Sequence, residues 1–224
     1  NSVTITSTQS YSGETQVEKG HLVLASTNGD TLSDDSAVTV VTGATLSVNE
    51  SDTVGDLTND GTVNINAALT VEDATAGDGN AEVINTGMIN LVGTLTATEG
   101  TASIDHTGTL KVKDTAEIIA DELTDSAGTG SVIIDDTKTL TLNLVDAETT
   151  STFDGVISGD GALDKQGDGE LRLPGTNTYS GGTTVSGGLL TLANSGGDTL
   201  FDAGTVDVAS GAVLTVAYNE TLGD

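Results

Sequence analysis

The sequence predicts an all-β protein, a right-handed parallel β-helix (β-solenoid) with coils of roughly 18–26 residues. Three observations predict this fold: a long internal repeat, short glycine-punctuated strand units, and an interior made of small aliphatic side chains. The 224 residues include two Phe, three Tyr and no Trp. Burial therefore has to come from Val, Leu, Ile and Ala, which stack well in a narrow interior.

The long repeat is a sequence similarity between the two ends of the chain. Residues 11–56 and 179–224 align without a gap at a constant offset, and about half of the aligned positions are identical, including Tyr11 and Tyr179. A long-period repeat sampled about one and a third times is typical of a solenoid. We therefore interpret 1–224 as a single β-helix segment excised from a longer repeat array. In this interpretation 1–56 and 169–224 are copies of one block of a repeat of roughly 168 residues.

The short unit has the pattern Gly, any residue, apolar, polar, apolar. It occurs at 43–48, 61–65, 87–91, 108–112, 188–192 and 204–208. Strict alternation predicts strands with one buried face. The stretch 115–124 comes closest to helical spacing, but it also fits a strand with a bulge. A β-sandwich or a propeller is the alternative, although propeller blades need longer units of about 40 residues, usually with aromatic anchors.

Charge and composition exclude several classes of function. The net charge of −28 comes from 34 acidic and six basic residues, which disfavours nucleic acid and bare membrane as partners. Without cysteine there is no disulfide, thiol nucleophile or thiolate metal site. No apolar run approaches the length of about 18 residues that spans a bilayer, so we expect no direct membrane insertion by this segment.

Residues 153–192 contain the most specific pattern in the chain. Alternating glycines lead into Leu-x-Lys-x-Gly-x-Gly-x-Leu, followed by Asn-Thr-Tyr-x-Gly-Gly-Thr. This stretch resembles the passenger-associated strand repeat of bacterial autotransporters (type V secretion). The motif positions are Gly155, Gly159, Gly161, Leu163, Lys165, Gly167, Gly169, Leu171, Asn177, Tyr179, Gly181, Gly182 and Gly188. Residues 10–24 resemble the second half of this motif less closely, with Glu14 at the position that corresponds to Gly182.

The resemblance implies a β-helical, adhesin-like passenger. Such a region is exported across the outer membrane by its own C-terminal translocator barrel, which we expect outside this sequence. It is then displayed at the cell surface, anchored at the bacterial outer membrane through a region not present here. The motif itself is structural, and it specifies no ligand.

The candidate residues for catalysis are few. A serine protease needs a Ser, a His and an Asp in contact, and the histidines are His21 and His106. We expect both to face solvent, His106 in a turn and His21 on a strand. A polysaccharide-degrading β-helix enzyme needs two carboxylates at a defined separation and a substrate cleft. Aromatic platforms for sugars are almost absent, so the prediction is that the chain is not an enzyme.

Calcium is the one cofactor considered, although we predict none. Hard oxygen ligands stand beside tight turns at Asp160-Gly161, Asp168-Gly169, Asp78-Gly79 and Asn28-Gly29-Asp30. However, neither the Gly-Gly-x-Gly-x-Asp nonapeptide nor the Asp-x-Asp-x-Asp-Gly loop occurs. A solvated acidic surface is the simpler interpretation.

The predicted function is that of a surface-displayed bacterial adhesin or stalk segment acting in cell adhesion, autoaggregation or biofilm formation. The alternatives are a glycan- or host-receptor-binding module of the passenger and, more remotely, a polysaccharide-degrading enzyme. The expected partner is the protein itself on neighbouring cells, or a host glycan or protein.

Overall fold

The computed structural model describes residues 1–72, 82–85, 87–91, 94–97, 103–114, 116–201 and 204–222. In these ranges the chain is made of strands, turns and loops, without an α-helix. It follows that none of them contains a helix able to cross a membrane. The prediction of an all-β fold is confirmed.

The strands are short, with three to six residues each. In the first half of the chain they are β1 (Ser2–Ile5), β2 (Thr15–Val17), β3 (Gly20–Leu24), β4 (Val38–Val40), β5 (Ala44–Val48), β6 (Asp52–Val54), β7 (Leu57–Asn59), β8 (Thr62–Ile65), β9 (Ala68–Val71), β10 (Glu82–Asn85), β11 (Met88–Leu91), β12 (Thr94–Ala97) and β13 (Ser103–His106). In the second half they are β14 (Thr109–Val112), β15 (Ala116–Ala120), β16 (Glu122–Thr124), β17 (Ser131–Ile134), β18 (Thr139–Leu144), β19 (Thr150–Thr152), β20 (Val156–Gly159), β21 (Ala162–Gln166), β22 (Glu170–Leu173), β23 (Thr183–Val185), β24 (Leu189–Leu192), β25 (Val206–Val208) and β26 (Val213–Val216).

The strands form four parallel sheets, and each coil of the solenoid contributes one strand to each sheet that it crosses. Sheet 1 has the order β1-β3-β5-β8-β11-β14-β17-β20, and sheet 2 the order β2-β4-β7-β10-β13-β16. Sheet 3 runs β6-β9-β12-β15-β18-β21-β23-β25, and sheet 4 runs β19-β22-β24-β26. Sheet 4 starts beside the end of sheet 2, where the Leu123 amide donates to Ser151 Oγ at 2.9 Å. The result is a three-sided β-solenoid of about eight turns.

Strand register gives the coil length directly. Leu46 pairs with Val63 across a short coil, whereas Val63 pairs with Ile89 across a much longer one. The longer coil matches the upper end of the predicted range of roughly 18–26 residues, and the shorter one falls just below its lower end. Each pairing among the described strands is parallel, which excludes the antiparallel sandwich.

The core is a single aliphatic channel. Inward positions on successive coils stack in register, as with Leu46, Val63 and Ile89 in sheet 1, all of them buried. Phe153 is the largest side chain that is fully buried. The stretch with the nearest to helical spacing forms β15 and β16 with a corner at Asp121, and Thr115 lies outside the described residues.

Equivalent strands of the two repeat copies lie in different sheets. β2 and β3 of the first copy belong to sheets 2 and 1, while their counterparts β23 and β24 belong to sheets 3 and 4. The offset between the copies is therefore not a whole number of coils, and the second copy is turned by one side of the solenoid relative to the first.

Candidate functional site: the repeat motif and the polar ladders

The glycine-rich motif places its apolar residues in the channel and its glycines against the preceding coil. Leu163 and Leu171 are buried, together with Leu173, Val185, Leu190 and Leu192. A Cβ on Gly155 would overlap the carbonyl oxygen of Gly130, and one on Gly161 would overlap Ile134. Close backbone approach is thus the physical reason for glycine at these positions. The remaining motif glycines that approach the preceding coil in this way are Gly159, Gly167, Gly169, Gly181 and Gly188, whereas a Cβ on Gly182 would meet Thr205 of the following coil.

The Asn-Thr-Tyr part of the motif covers the edge of sheet 1. Asn177 Oδ1 accepts the Ile157 amide at 2.8 Å, and the Thr178 amide donates to the Ile157 carbonyl at 2.8 Å. Residues 174–182 thereby provide hydrogen-bond partners for backbone groups on the open side of β20, although they do not form a strand themselves. Covering an edge in this way removes a template for unwanted strand pairing.

Lys165 is a motif residue whose side chain is fully buried. Its Nζ donates to the carbonyl oxygens of Gln166, Gly167 and Gly187 at 2.6, 3.2 and 3.4 Å. Burial lowers the pKa of this amine to about 8, against the opposing effect of the Asp168 and Asp164 carboxylates. Lys165 therefore joins two coils at a corner, as a hydrogen-bond donor to three carbonyl groups.

Tyr179 has a counterpart in the first copy that makes the same contact. Tyr179 OH lies 2.5 Å from Thr183 Oγ1, and Tyr11 OH lies 2.7 Å from Thr15 Oγ1. Tyr179 is buried, which raises the pKa of its hydroxyl, whereas Tyr11 is exposed.

An internal ladder of polar side chains runs through sheet 2. Asn59 Nδ2 donates to Asn85 Oδ1 at 2.7 Å, and Asn85 Nδ2 lies 2.9 Å from His106 Nδ1. His106 is 3% exposed and stacks on Phe153 with ring centroids 6.1 Å apart. The prediction of a solvent-facing His106 was wrong, because its partners lie on neighbouring coils. Burial lowers the pKa of His106.

A second ladder runs along the outer surface of sheet 1. His21 Nε2 lies 2.8 Å from Ser47 Oγ, which also accepts Asn64 Nδ2 at 3.0 Å. Asn90 Nδ2 then donates to Asn64 Oδ1 at 2.8 Å. The His–Ser contact resembles a base paired with a nucleophile, but Ser47 is a buried member of this ladder. His21 is half-buried, so it meets solvent only in part.

Two acidic side chains hold the loops that follow β3 and β24. Asp52 Oδ1 accepts the amides of Thr31 and Leu32 at 2.6 and 3.4 Å. Burial raises the pKa of Asp52 to about 6, and its Oδ2 has no hydrogen-bond partner. Glu220 closes the equivalent loop of the second copy.

The acidic residues do not assemble into a metal site in the part of the chain that the structure describes. No three Asp, Glu or His side chains converge there on a point that could hold a metal ion. Of the calcium candidates, Asp160 accepts a hydrogen bond from Ser180 Oγ at 3.1 Å. Asp78-Gly79 lies outside the described residues.

Comparison with known proteins connects this geometry to a family. A family model for the passenger-associated-transport-repeat matches residues 163–192, which begin in β21 and end with β24. This stretch is therefore similar to the passenger-associated-transport-repeat. The predicted motif started ten residues earlier, at 153, so Gly155, Gly159 and Gly161 precede the matched part.

A curated relative gives the same relationship. The chain is 43% identical over 75 residues to the adhesin BmaC autotransporter of Brucella suis biovar 1 (strain 1330). The alignment covers 33% of this chain and 2% of that protein. No solved structure matches the chain. The segment thus resembles the passenger region of an adhesin autotransporter.

The sequence showed the resemblance to the passenger repeat, but the ladders and the acidic loop contacts were not predicted from it. The one signal for the loop contacts was that Thr31-Leu32 recurs as Thr199-Leu200 in the second copy, with an acidic residue at the equivalent later position, Asp52 or Glu220.

Proposed function

We propose that this chain is a segment of a surface-displayed autotransporter passenger that acts as a β-helical adhesin or stalk in cell adhesion, including autoaggregation or biofilm formation. The passenger repeat at 163–192 is the observation that carries this proposal. The passenger is anchored at the outer membrane through a C-terminal translocator outside this sequence.

The fold supports a role that depends on length and outer surface. Hydrogen-bonded coils continue from β1 to β26, and the described interior is filled by aliphatic side chains. The polar groups that resemble catalytic ones, His106 and Lys165, are buried and bonded within the solenoid. Adhesion then comes from many weak contacts whose avidity adds along the passenger.

Surface display and adhesion can be tested on cells that carry the complete parent protein. An antibody raised against residues 1–224 should label intact cells, external protease should remove that signal, and deletion of the segment should reduce attachment and clumping. Labelling only after permeabilisation, or unchanged adhesion without the segment, contradicts the proposal.

Deletion of residues 132–156 is the matched control for a simple loss of length. Val132 pairs with Ile157, so this deletion removes one coil and joins Ser131 to the equivalent place in the next coil. The solenoid becomes shorter by about 4.8 Å, the spacing between strands. We expect normal display and adhesion close to that of the parent.

Attachment to immobilised glycans without cell clumping would favour the glycan-binding alternative.

A further inference from the structure

Sheet 1 is free of acidic residues in a chain that has 34 of them. All of its strand residues are described, and none of the eight strands contains Asp or Glu. The other sheets each present carboxylates on their strands, among them Asp105 in sheet 2, Glu117 in sheet 3 and Glu170 in sheet 4.

The outer surface of sheet 1 consists of two columns of side chains, which we call the neutral face. It carries hydroxyl, amide and aliphatic groups, with Lys111 and His21 as the basic residues. The first column is Ser2, His21, Thr45, Thr62, Met88, Thr109, Ser131 and Val156. The second is Thr4, Val23, Ser47, Asn64, Asn90, Lys111, Ile133 and Ser158.

We infer that the neutral face is the surface through which two copies of this chain associate. A molecule with a net charge of −28 repels its own copy wherever carboxylates face each other. Contact through the neutral face avoids that juxtaposition. This inference rests on the proposed adhesive function, and it names the partner and the surface.

The chemistry of the neutral face is also self-complementary. Amides and hydroxyls are both donors and acceptors, so the partly exposed hydroxyl groups of Thr45, Thr62 and Thr109 in the first column can face an identical row related by a twofold axis. Met88 and Val156, which are 40% and 42% exposed, add apolar contact area. A row of carboxylates has no such property, because it only accepts hydrogen bonds.

The size of the face determines the strength of the contact. Eight strands spaced about 4.8 Å apart and about 13 Å long present roughly 450 Å² per copy. Stable dimers bury about 800 Å² per partner, so a single pair should be weak. Adhesion between cells would then require many copies acting together.

Ionic conditions separate this contact from one bridged by calcium. Asp135, Asp136 and Asp160 stand at the corners beyond β17 and β20, and they repel across the rim. Monovalent salt screens that repulsion and should strengthen association. Calcium chloride at equal ionic strength should have the same effect as sodium chloride, because no carboxylate lies in the contact itself.

Matched charge variants test the inference, with analytical ultracentrifugation of residues 1–224 as the measurement. Met88→Glu and Val156→Glu place carboxylates on the neutral face. Ile84→Glu and Val145→Glu are the controls, since Ile84 lies in sheet 2 and Val145 directly follows β18 of sheet 3. They are 39% and 47% exposed, and the substitutions add the same charge. The neutral-face double variant should raise the apparent dissociation constant at least tenfold, and the control double variant should change it less than about threefold.

The results of these association measurements are separate from the results of the cell assays that test adhesion. Mixing the neutral-face Glu variant with Met88→Lys/Val156→Lys should restore association. A wild-type chain that stays monomeric at all accessible concentrations and salt conditions overturns the inference, as do control variants that weaken association equally. In either case the segment can still be displayed and adhere to another surface, which the cell assays measure separately.

Discussion

Asp52 and Glu220 accept equivalent pairs of backbone amides in the two copies of the repeat block, but only Glu220 uses both of its carboxylate oxygens. Thr199 and Leu200 donate to Glu220 Oε2 and Oε1 at 2.6 and 2.8 Å. Asp52 receives both amides on Oδ1 and leaves Oδ2 buried without a partner. The shorter side chain therefore carries a desolvation penalty that the longer one avoids.

The first prediction concerns Asp52→Asn. The folded-state pKa of Asp52 is raised from 3.8 to about 6, so the folded chain binds this proton more tightly than the unfolded chain. The residue's contribution to stability is present below pH 4 and is lost as pH rises to 6. Asp52→Asn should therefore increase the free energy of unfolding by about 1–2 kcal/mol at pH 7.5 and have little effect at pH 4.

Glu220→Gln is the matched control for that substitution. It weakens two hydrogen bonds to a carboxylate, so it should lower the free energy of unfolding at pH 7.5 by about 1–2 kcal/mol. Urea unfolding of both variants at pH 7.5 and pH 4 measures these changes in the free energy of unfolding. Equal shifts of the same sign would contradict the structural difference between the two loops.

The second prediction concerns acid sensitivity at His106. Burial lowers its pKa below 6.5, against the nearby Asp125 and Asp105 carboxylates, so the folded chain favours the neutral ring. Its contribution to stability is complete above pH 6.5 and is lost as pH falls below that value. His106→Asn should extend the Asn59–Asn85 ladder, keep stability at pH 7.5 within about 1 kcal/mol, and reduce the loss between pH 6.5 and 5.

Thermal unfolding across that pH range measures the effect. His21→Asn is the control because His21 is half-buried on the outer surface. An acid-induced loss that is unchanged in His106→Asn, or equally reduced in His21→Asn, would show that the internal ladder is not its source.

How far the sequence predicts this structure depends on whether a property is local. Glycine followed by alternating apolar residues predicts a strand and its buried face, so β5, β8, β11, β14 and β24 were found from the sequence. The buried ladder was not, because Asn85 and His106 occupy polar positions at strand ends that look like turns. Their hydrogen-bond partners come from neighbouring coils, which are distant along the chain.

The neutral face was missed for a related reason. Coils differ in length, as the pairings of Val63 with Leu46 and with Ile89 show, so a fixed period does not assign each strand to its sheet. Only the register of the strands shows that Met88 and Ile84, which are close in sequence, point outward from different sheets.

The third prediction concerns the buried amine of Lys165. Lys165→Met leaves three carbonyl oxygens without this donor and should destabilise the chain by about 2–3 kcal/mol at pH 7. Lys138→Met is the matched control, since Lys138 forms a surface ion pair with Asp114 at 3.1 Å. That substitution should change stability by less than about 0.5 kcal/mol. Equal effects in urea unfolding would contradict a role for the buried position.

The fourth prediction tests the close stacking of the glycine motif. A Cβ on Gly155 would overlap the Gly130 carbonyl and lie 2.8 Å from Asp125 Oδ2, whereas a Cβ on Gly13 meets no atom within 4 Å. Gly155→Ala should destabilise the chain by about 3 kcal/mol or more. Gly13→Ala should leave the unfolding midpoint nearly unchanged, and a similarly small shift for Gly155→Ala would contradict the stacking.

Clumping of cells that display the complete parent protein is the most direct measure of whether the outer surface of this segment causes adhesion. Three forms should be compared at equal surface abundance: the unaltered protein, Met88→Glu/Val156→Glu, and Ile84→Glu/Val145→Glu. We expect the neutral-face variant to lose most clumping and the control to retain it. Equal clumping by all three forms would contradict the account.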